Sequence, residues 1–213
     1  MNDKELVKSI ISVPEDIKNL LKELSDHNPE YNVFLVGGYL RDRFTDKPIK
    51  DVDIVFTPKR VCTTPAVNYV PAGGYVNYRL QSREMSLDLQ SRGVTEVTGL
   101  FFGKLSTTDV QYIVYQNPLN LYQVCEDMDM NICQIAYCPV RDEVEFTENF
   151  WKGHQDKYIK CMIDYDEERT FYRYERMKSK FPDYQVYDQP VGYDPLSNPN
   201  KDRHAGSMIS LEE

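Results

Sequence analysis

Asp51 and Asp53 lie one residue apart in the apolar segment KDVDIVF. On a β-strand, residues i and i+2 point to the same face, so the two carboxylates stand side by side. Like charges so placed repel, and each favours a partner that neutralises both. A divalent cation does this, and Mg²⁺ held by carboxylates and substrate phosphates is a common arrangement. The competing reading is a solvated strand edge; the flanking Val52, Ile54, Val55 and Phe56 weigh against wholesale exposure.

Two glycines, Gly37-Gly38, follow the apolar run YNVFLV. They remove both side chains where the backbone would meet a ligand. Amides in such a turn, continued by the first turn of a helix, can hold a phosphate. An ordinary tight turn would look the same. Arg41-Asp42 lies between the two features, and Arg41 is suited either to a nucleotide phosphate or to clamping the loop against Asp42 or Asp51.

The elements that must position these groups are partly legible. Residues 3–11 read as a helix. A second begins near Pro14, with Ile17, Leu20, Leu21 and Leu24 at helical spacing, and His27-Asn28-Pro29 closes it. Residues 31–36 have strand composition, and 39–47 read as one or two helical turns. The next strand puts Val52, Ile54 and Phe56 on one face, with Asp51, Asp53 and Val55 on the other. Residues 61–108 are less regular, with candidate strands at 75–80 and 85–89 and turns at Gly73-Gly74 and Arg92-Gly93. Residues 110–115 (VQYIVY) predict a central strand, 117–127 a short helix and 128–137 another strand. Residues 148–180 read as helical and rich in aromatics. The Pro- and Asn-rich stretch 188–213 is expected to be extended or mobile.

Composition narrows the classes. With 41% hydrophobic and 28% charged residues, the 213-residue chain can bury a core as one domain with an appendage. A net charge of −9 argues against a broad grip on a nucleic-acid backbone, while leaving a local basic patch open. The cysteines (Cys62, Cys125, Cys133, Cys138 and Cys161) are odd in number and form no CxxC pair, which disfavours a disulfide framework or zinc site. No apolar run approaches 18 residues and no signal peptide is evident, so a cytoplasmic location is expected.

Taken together, residues 34–56 (FLVGGYLRDRFTDKPIKDVDIVF) resemble the signature of the CCA-adding tRNA nucleotidyltransferase and bacterial poly(A) polymerase head-domain family. Gly37, Gly38, Leu40, Arg41, Asp42, Lys47, Pro48, Asp51 and Asp53 match without a gap. The resemblance implies an α+β fold: a polymerase-beta-like mixed sheet flanked by helices, with a small C-terminal helical appendage. It implies that Asp51 and Asp53 hold Mg²⁺ or Mn²⁺. Gly37 and Gly38 would cradle an NTP triphosphate, with Arg41, Asp42 and Lys50 supporting the nucleotide. The reaction would move a nucleoside monophosphate to a hydroxyl and release pyrophosphate.

A second stretch, Asp129-Met130-Asn131-Ile132-Cys133-Gln134-Ile135-Ala136, resembles the family segment that positions sugar and base. Asp127 and Met128 stand where that family has two arginines, and Cys133 where it has Asn. The family also uses a third carboxylate on a neighbouring strand. Asp88 is the first choice for this catalytic and metal-binding position, Asp129 the second and Asp109 the third.

The likeness covers a head domain, set at residues 1–147. Residues 148–187 would form a short helical cap and 188–213 the tail. In the cap, Arg169, Arg173, Arg176, Lys178 and Lys180 accompany Tyr172 and Tyr174. A helix packed through its aromatics is preferred there over a nucleotide or nucleic-acid contact, and His154 reads as a packing residue. The expected protein is a small stand-alone nucleotidyltransferase of the kind encoded by bacteriophages, acting in the host cytoplasm. Its acceptor would be an RNA 3′ end (tRNA included), a protein or a small molecule. The alternative is a fold kept as a nucleotide-binding, RNA-binding or protein-interaction module without catalysis.

Overall fold

A computed structural model describes residues 2–60, 97–105, 108–115, 117–163 and 167–188. The strands expected at 75–80 and 85–89, their glycine turns, Asp88 and the tail beyond Asp188 lie outside the described residues.

Two helices, α1 (Asp3–Ile11) and α2 (Glu15–His27), lead into β1 (Tyr31–Val36), the short helix α3 (Gly38–Phe44) and β2 (Asp51–Pro58). Then come β3 (Val97–Leu105), β4 (Thr108–Tyr115), α4 (Leu121–Glu126), β5 (Ile135–Cys138) and β6 (Glu143–Phe146). The chain continues through α5 (Glu148–Gln155), β7 (Tyr158–Lys160), α6 (Glu167–Lys180) and β8 (Gln185–Tyr187). Six strands form one sheet in the order β3-β4-β2-β1-β5-β6. Among the described strands of this sheet, β2 and β4 run parallel and the other pairs are antiparallel. The fold is therefore α+β with a mixed sheet, as the sequence suggested.

The alternation read in β2 sorts the two faces. Val52, Ile54 and Phe56 enter a core shared with α1, α2, α3 and Phe150 of α5. Val55 enters a smaller cluster with Phe34, Val36 and α4 residues Leu121 and Val124. Asp51 and Asp53, on the Val55 face, lie at the start of β2 and line a cleft. Asn2 and Asn120 each cap a following helix through a reciprocal capping box, which fixes where α1 and α4 begin.

Two elements differ from the sequence reading. β3 was not singled out, and it forms an outer strand against β4. Residues 158–162 were read as a continuation of helix, yet α5 stops at Gln155. Lys157 takes a positive φ of 52°, which ends the helix. Beyond it Ile159 is buried beside Tyr174 and Phe181, and the Lys160 amide donates to Asn131 Oδ1 at 2.8 Å. Tertiary pairing outweighs local helical preference here. The expected cap thus mixes helix with the two-stranded β7–β8 pair, and its α5 belongs to the main core.

Candidate nucleotide and metal cleft

β1 and β2 are antiparallel with Val36 opposite Asp53. The chain leaving β1 therefore emerges beside the two aspartates. Gly37 has φ +66°, a conformation that strains any residue with a side chain. Its amide donates to the Ile135 carbonyl at 3.0 Å, which ties the turn to β5. A Cβ on Gly37 would lie 3.9 Å from Asp53 Oδ2, and one on Gly38 would lie 4.0 Å from Asp51 Oδ1. The glycines thus leave bare backbone facing the carboxylates.

The neighbouring strand adds two groups. In the parallel register Asp109 stands beside Asp51 and Gln111 beside Asp53. Asp109 is exposed at the start of β4, whereas Gln111 lines the cleft. Burial, followed by the negative charge of Asp51, pushes the Asp53 carboxyl up to about 6, against the opposing pull of Arg173, Arg41 and Arg176. The pair therefore carries more negative charge than the protein comfortably neutralises at neutral pH. That is the setting a divalent cation relieves, and the donor set fits one. Among the described residues no third His, Cys, Asp or Glu completes a three-ligand group with them.

The opposite wall is α6. Tyr174 and Met177 on one side of it, with Phe181 just beyond its end, pack on Met130, Ile132 and Cys133. Arg173, Arg176 and Lys180, at i, i+3 and i+7, line a cleft of about 700 Å³ together with the glycines and aspartates. Lys50 also lines it and lies 3.6 Å from Asp51 Oδ2, with its side chain largely exposed. Asp129 faces the cleft and forms an ion pair with Arg173.

Arg41 and Asp42 are buried, 5% and 3% exposed. Arg41 holds Asp42 Oδ1 through Nε at 2.8 Å and Nη2 at 2.7 Å. Its Nη1 donates to Cys133 Sγ at 3.0 Å, and its guanidinium lies 5.5 Å from the Phe181 ring centroid. Arg41 thus clamps Asp42, and it also lines the cleft beside Gly38.

His154 is a packing residue, as expected. Its ring sits 4.6 Å from Phe150 and 5.0 Å from Phe44, and Nδ1 meets Tyr184 Oη at 2.9 Å. Burial lowers its pKa to about 4.

Gln111, Met128, Cys133, Ser179 and Lys180 line the cleft without having been singled out for it. The aromatic packing preferred for α6 holds for Tyr174, while Arg173 and Arg176 turn to the cleft. Their signal was present in the sequence as a basic stripe spaced to face away from Tyr174, Met177 and Phe181.

This fold is nucleotidyltransferase-like. Solved structures of similar fold include a Thermotoga maritima CCA-adding enzyme complexed with tRNA (15% identity, 88% of this chain, 43% of that one, TM-score 0.54). Another is a CCA-adding enzyme with CTP (15% identity, 88% and 44% covered, TM-score 0.59). A third is a tRNA-processing enzyme in an apo form (18% identity, 83% and 45% covered, TM-score 0.54). The chain spans less than half the length of these proteins. At such identities the likeness establishes the fold alone.

The family is given by sequence. Residues 13–157 match the family described as "Gad2: Gabija anti-defense 2 family protein", and the chain belongs to that family. No curated protein matches it in sequence. No helix among the described residues is long and apolar enough to cross a membrane.

Proposed function

We propose that this Gabija anti-defense 2 family protein is a metal-dependent nucleotidyltransferase. It would take a nucleoside monophosphate from an NTP and join it to a hydroxyl acceptor in the cytoplasm of a phage-infected host. The observation that carries this reading is the Asp51/Asp53 pair facing the bare backbone of Gly37-Gly38 across a cleft whose far wall is basic.

In this reading Asp51 and Asp53 hold a divalent metal, Mg²⁺ or Mn²⁺. When bound there, it supplies positive charge that offsets the triphosphate and makes the acceptor hydroxyl more acidic. Gly37 and Gly38 let the triphosphate approach the backbone, and Arg173 and Arg176 face it from α6. The acceptor oxygen bonds to the α-phosphorus as the bond to the β-phosphate oxygen breaks. Pyrophosphate leaves, and the acceptor's proton passes to water. Positioning and electrostatics do most of the work in such a displacement. Asp88, Asp109 and Asp129 remain the candidates for a third carboxylate; the Arg173 ion pair of Asp129 and the register of Asp109 beside Asp51 bear on that choice.

The test is incubation of the protein with each α-labelled NTP, Mg²⁺ and either total RNA or protein extract. Incorporation that disappears in Asp51→Ala/Asp53→Ala supports the reading. No transfer from any NTP to either acceptor pool contradicts it.

A non-catalytic binding module is the second reading, favoured by Asp127 and Met128 standing where the resembled family has arginines. It expects anti-defence activity to survive the same double substitution.

A further inference from the structure

Asp42 belongs to the motif that suggested nucleotide support, yet both of its oxygens are already taken. Arg41 occupies Oδ1, and Lys180 donates to Oδ2. With 3% of the residue exposed, little of Asp42 is left for a ribose hydroxyl. Lys180 also donates to the Pro48 carbonyl at 3.0 Å. That carbonyl lies three residues before Asp51. One ammonium therefore joins the C-terminal end of α6 both to α3, which follows the glycine turn, and to the segment that feeds the aspartate strand.

The attachment has a directional consequence. Arg173 and Arg176 lie seven and four residues before Lys180, about two turns and one turn along the same stripe. The rest of α6 is held by Tyr174 and Met177, with Phe181 just beyond its end, and by the ion pair of Arg173 with Asp129. Lys180 pins the C-terminal end of its cleft side. Around it, Met177 Sδ lies 3.5 Å from Arg41 Nη1, and Lys47 lies 5.8 Å from the Phe181 ring centroid. The ion pair is well shielded, its side chains 21% and 3% exposed, so water and salt screen it less than a surface pair.

We propose that Lys180 is a positioning residue for nucleotide binding. Through Asp42 and Pro48 it fixes α6 so that Arg173 and Arg176 face the polyphosphate above Asp51 and Asp53. This rests on the nucleotidyltransferase reading of the cleft. In this role Lys180, at the edge of the cleft, acts through Asp42 and Pro48, and its effect on the nucleotide is separable from any effect on the metal-holding aspartates.

The experiment measures two affinities for each variant of the full chain: a fluorescent ATP or CTP analogue with Mg²⁺, and Mn²⁺ alone by paramagnetic resonance. Lys180→Met is expected to weaken nucleotide binding about tenfold, the scale of a lost charged hydrogen bond, and to leave Mn²⁺ affinity unchanged. Lys180→Arg should restore nucleotide affinity to within about threefold, because a guanidinium can reach both acceptors. Lys178→Met removes a lysine paired with Glu175 on the exposed side of α6, and should bind as the parent does. Nucleotide affinity unchanged in Lys180→Met overturns the proposal, and so does a parallel loss of Mn²⁺. A parent protein that binds neither nucleotide analogue overturns the nucleotidyltransferase reading itself, and the positioning role falls with it.

Discussion

Asp53 faces Gln111 across the parallel β2–β4 register, so the strand neighbour of the more buried aspartate is an amide. The neighbouring carboxylate, Asp109, is paired instead with Asp51. An amide oxygen is a weaker cation ligand than a carboxylate but adds no charge to an already repelling pair. Gln111→Glu is expected to tighten Mn²⁺ binding about tenfold, a gain of about 1.4 kcal/mol. Titration of Mn²⁺ into both proteins checks this; equal or weaker affinity in the variant would place Gln111 outside the metal's reach.

Asp53 costs the metal-free protein stability. Its folded pKa of about 6 lies above the ordinary 3.8, so the folded state holds a proton that the unfolded state has released. The contribution of Asp53 is therefore most favourable below about pH 4 and declines as pH rises from about 4 through 6, by about 2 kcal/mol once partial exposure is allowed for. Asp53→Asn should raise the metal-free melting temperature at pH 7.5 and lose the further rise that Mg²⁺ gives the parent. Melting curves with Mg²⁺ and with chelator measure both; a variant less stable than the metal-free parent would contradict the charge account.

His154 has the opposite dependence. Its folded pKa of about 4 lies below the ordinary 6.5, so the buried ring resists protonation. Its contribution is intact above about pH 6.5 and is lost as pH falls towards 4, by up to about 3 kcal/mol. Comparison of urea denaturation at pH 7 and pH 5 should show a smaller acid loss in His154→Gln than in the parent.

Gly153 lies inside α5, where alanine ordinarily stabilises by about 1 kcal/mol. Here a Cβ would meet Asn131 Nδ2 at 2.3 Å. Asn131 is fully buried and joins the segment before β5 to β7 through the Lys160 amide and the Tyr158 carbonyl. Gly153→Ala is expected to destabilise by about 3 kcal/mol. A stability equal to or above the parent in urea unfolding would show that Asn131 can yield.

The core of the site was readable because its geometry is local. Gly37-Gly38, Arg41-Asp42 and Asp51/Asp53 lie within one strand–helix–strand unit, and period-2 alternation alone set the two aspartates on one face. Helices α1 and α2 announced themselves through apolar spacing. What escaped depends on contacts distant in sequence. Gln111 reaches the cleft through parallel strand register, and Lys180 through a bond spanning 138 residues. The burial of Arg41 beside Cys133 and Phe181 likewise depends on residues far along the chain. Strand β7 lost its identity to polar neighbours, since one buried Ile159 gives no period. The resemblance to CCA-adding enzymes led correctly to the fold, while family membership rests on the match over residues 13–157.

The most direct test of the central claim is pyrophosphate release. Purified protein with Mg²⁺, each NTP in turn and acceptor-containing extract should release pyrophosphate from at least one NTP. Release should fall at least a hundredfold in Asp51→Asn/Asp53→Asn. Equal release by parent and double variant, or none by the parent with any NTP, would contradict the account.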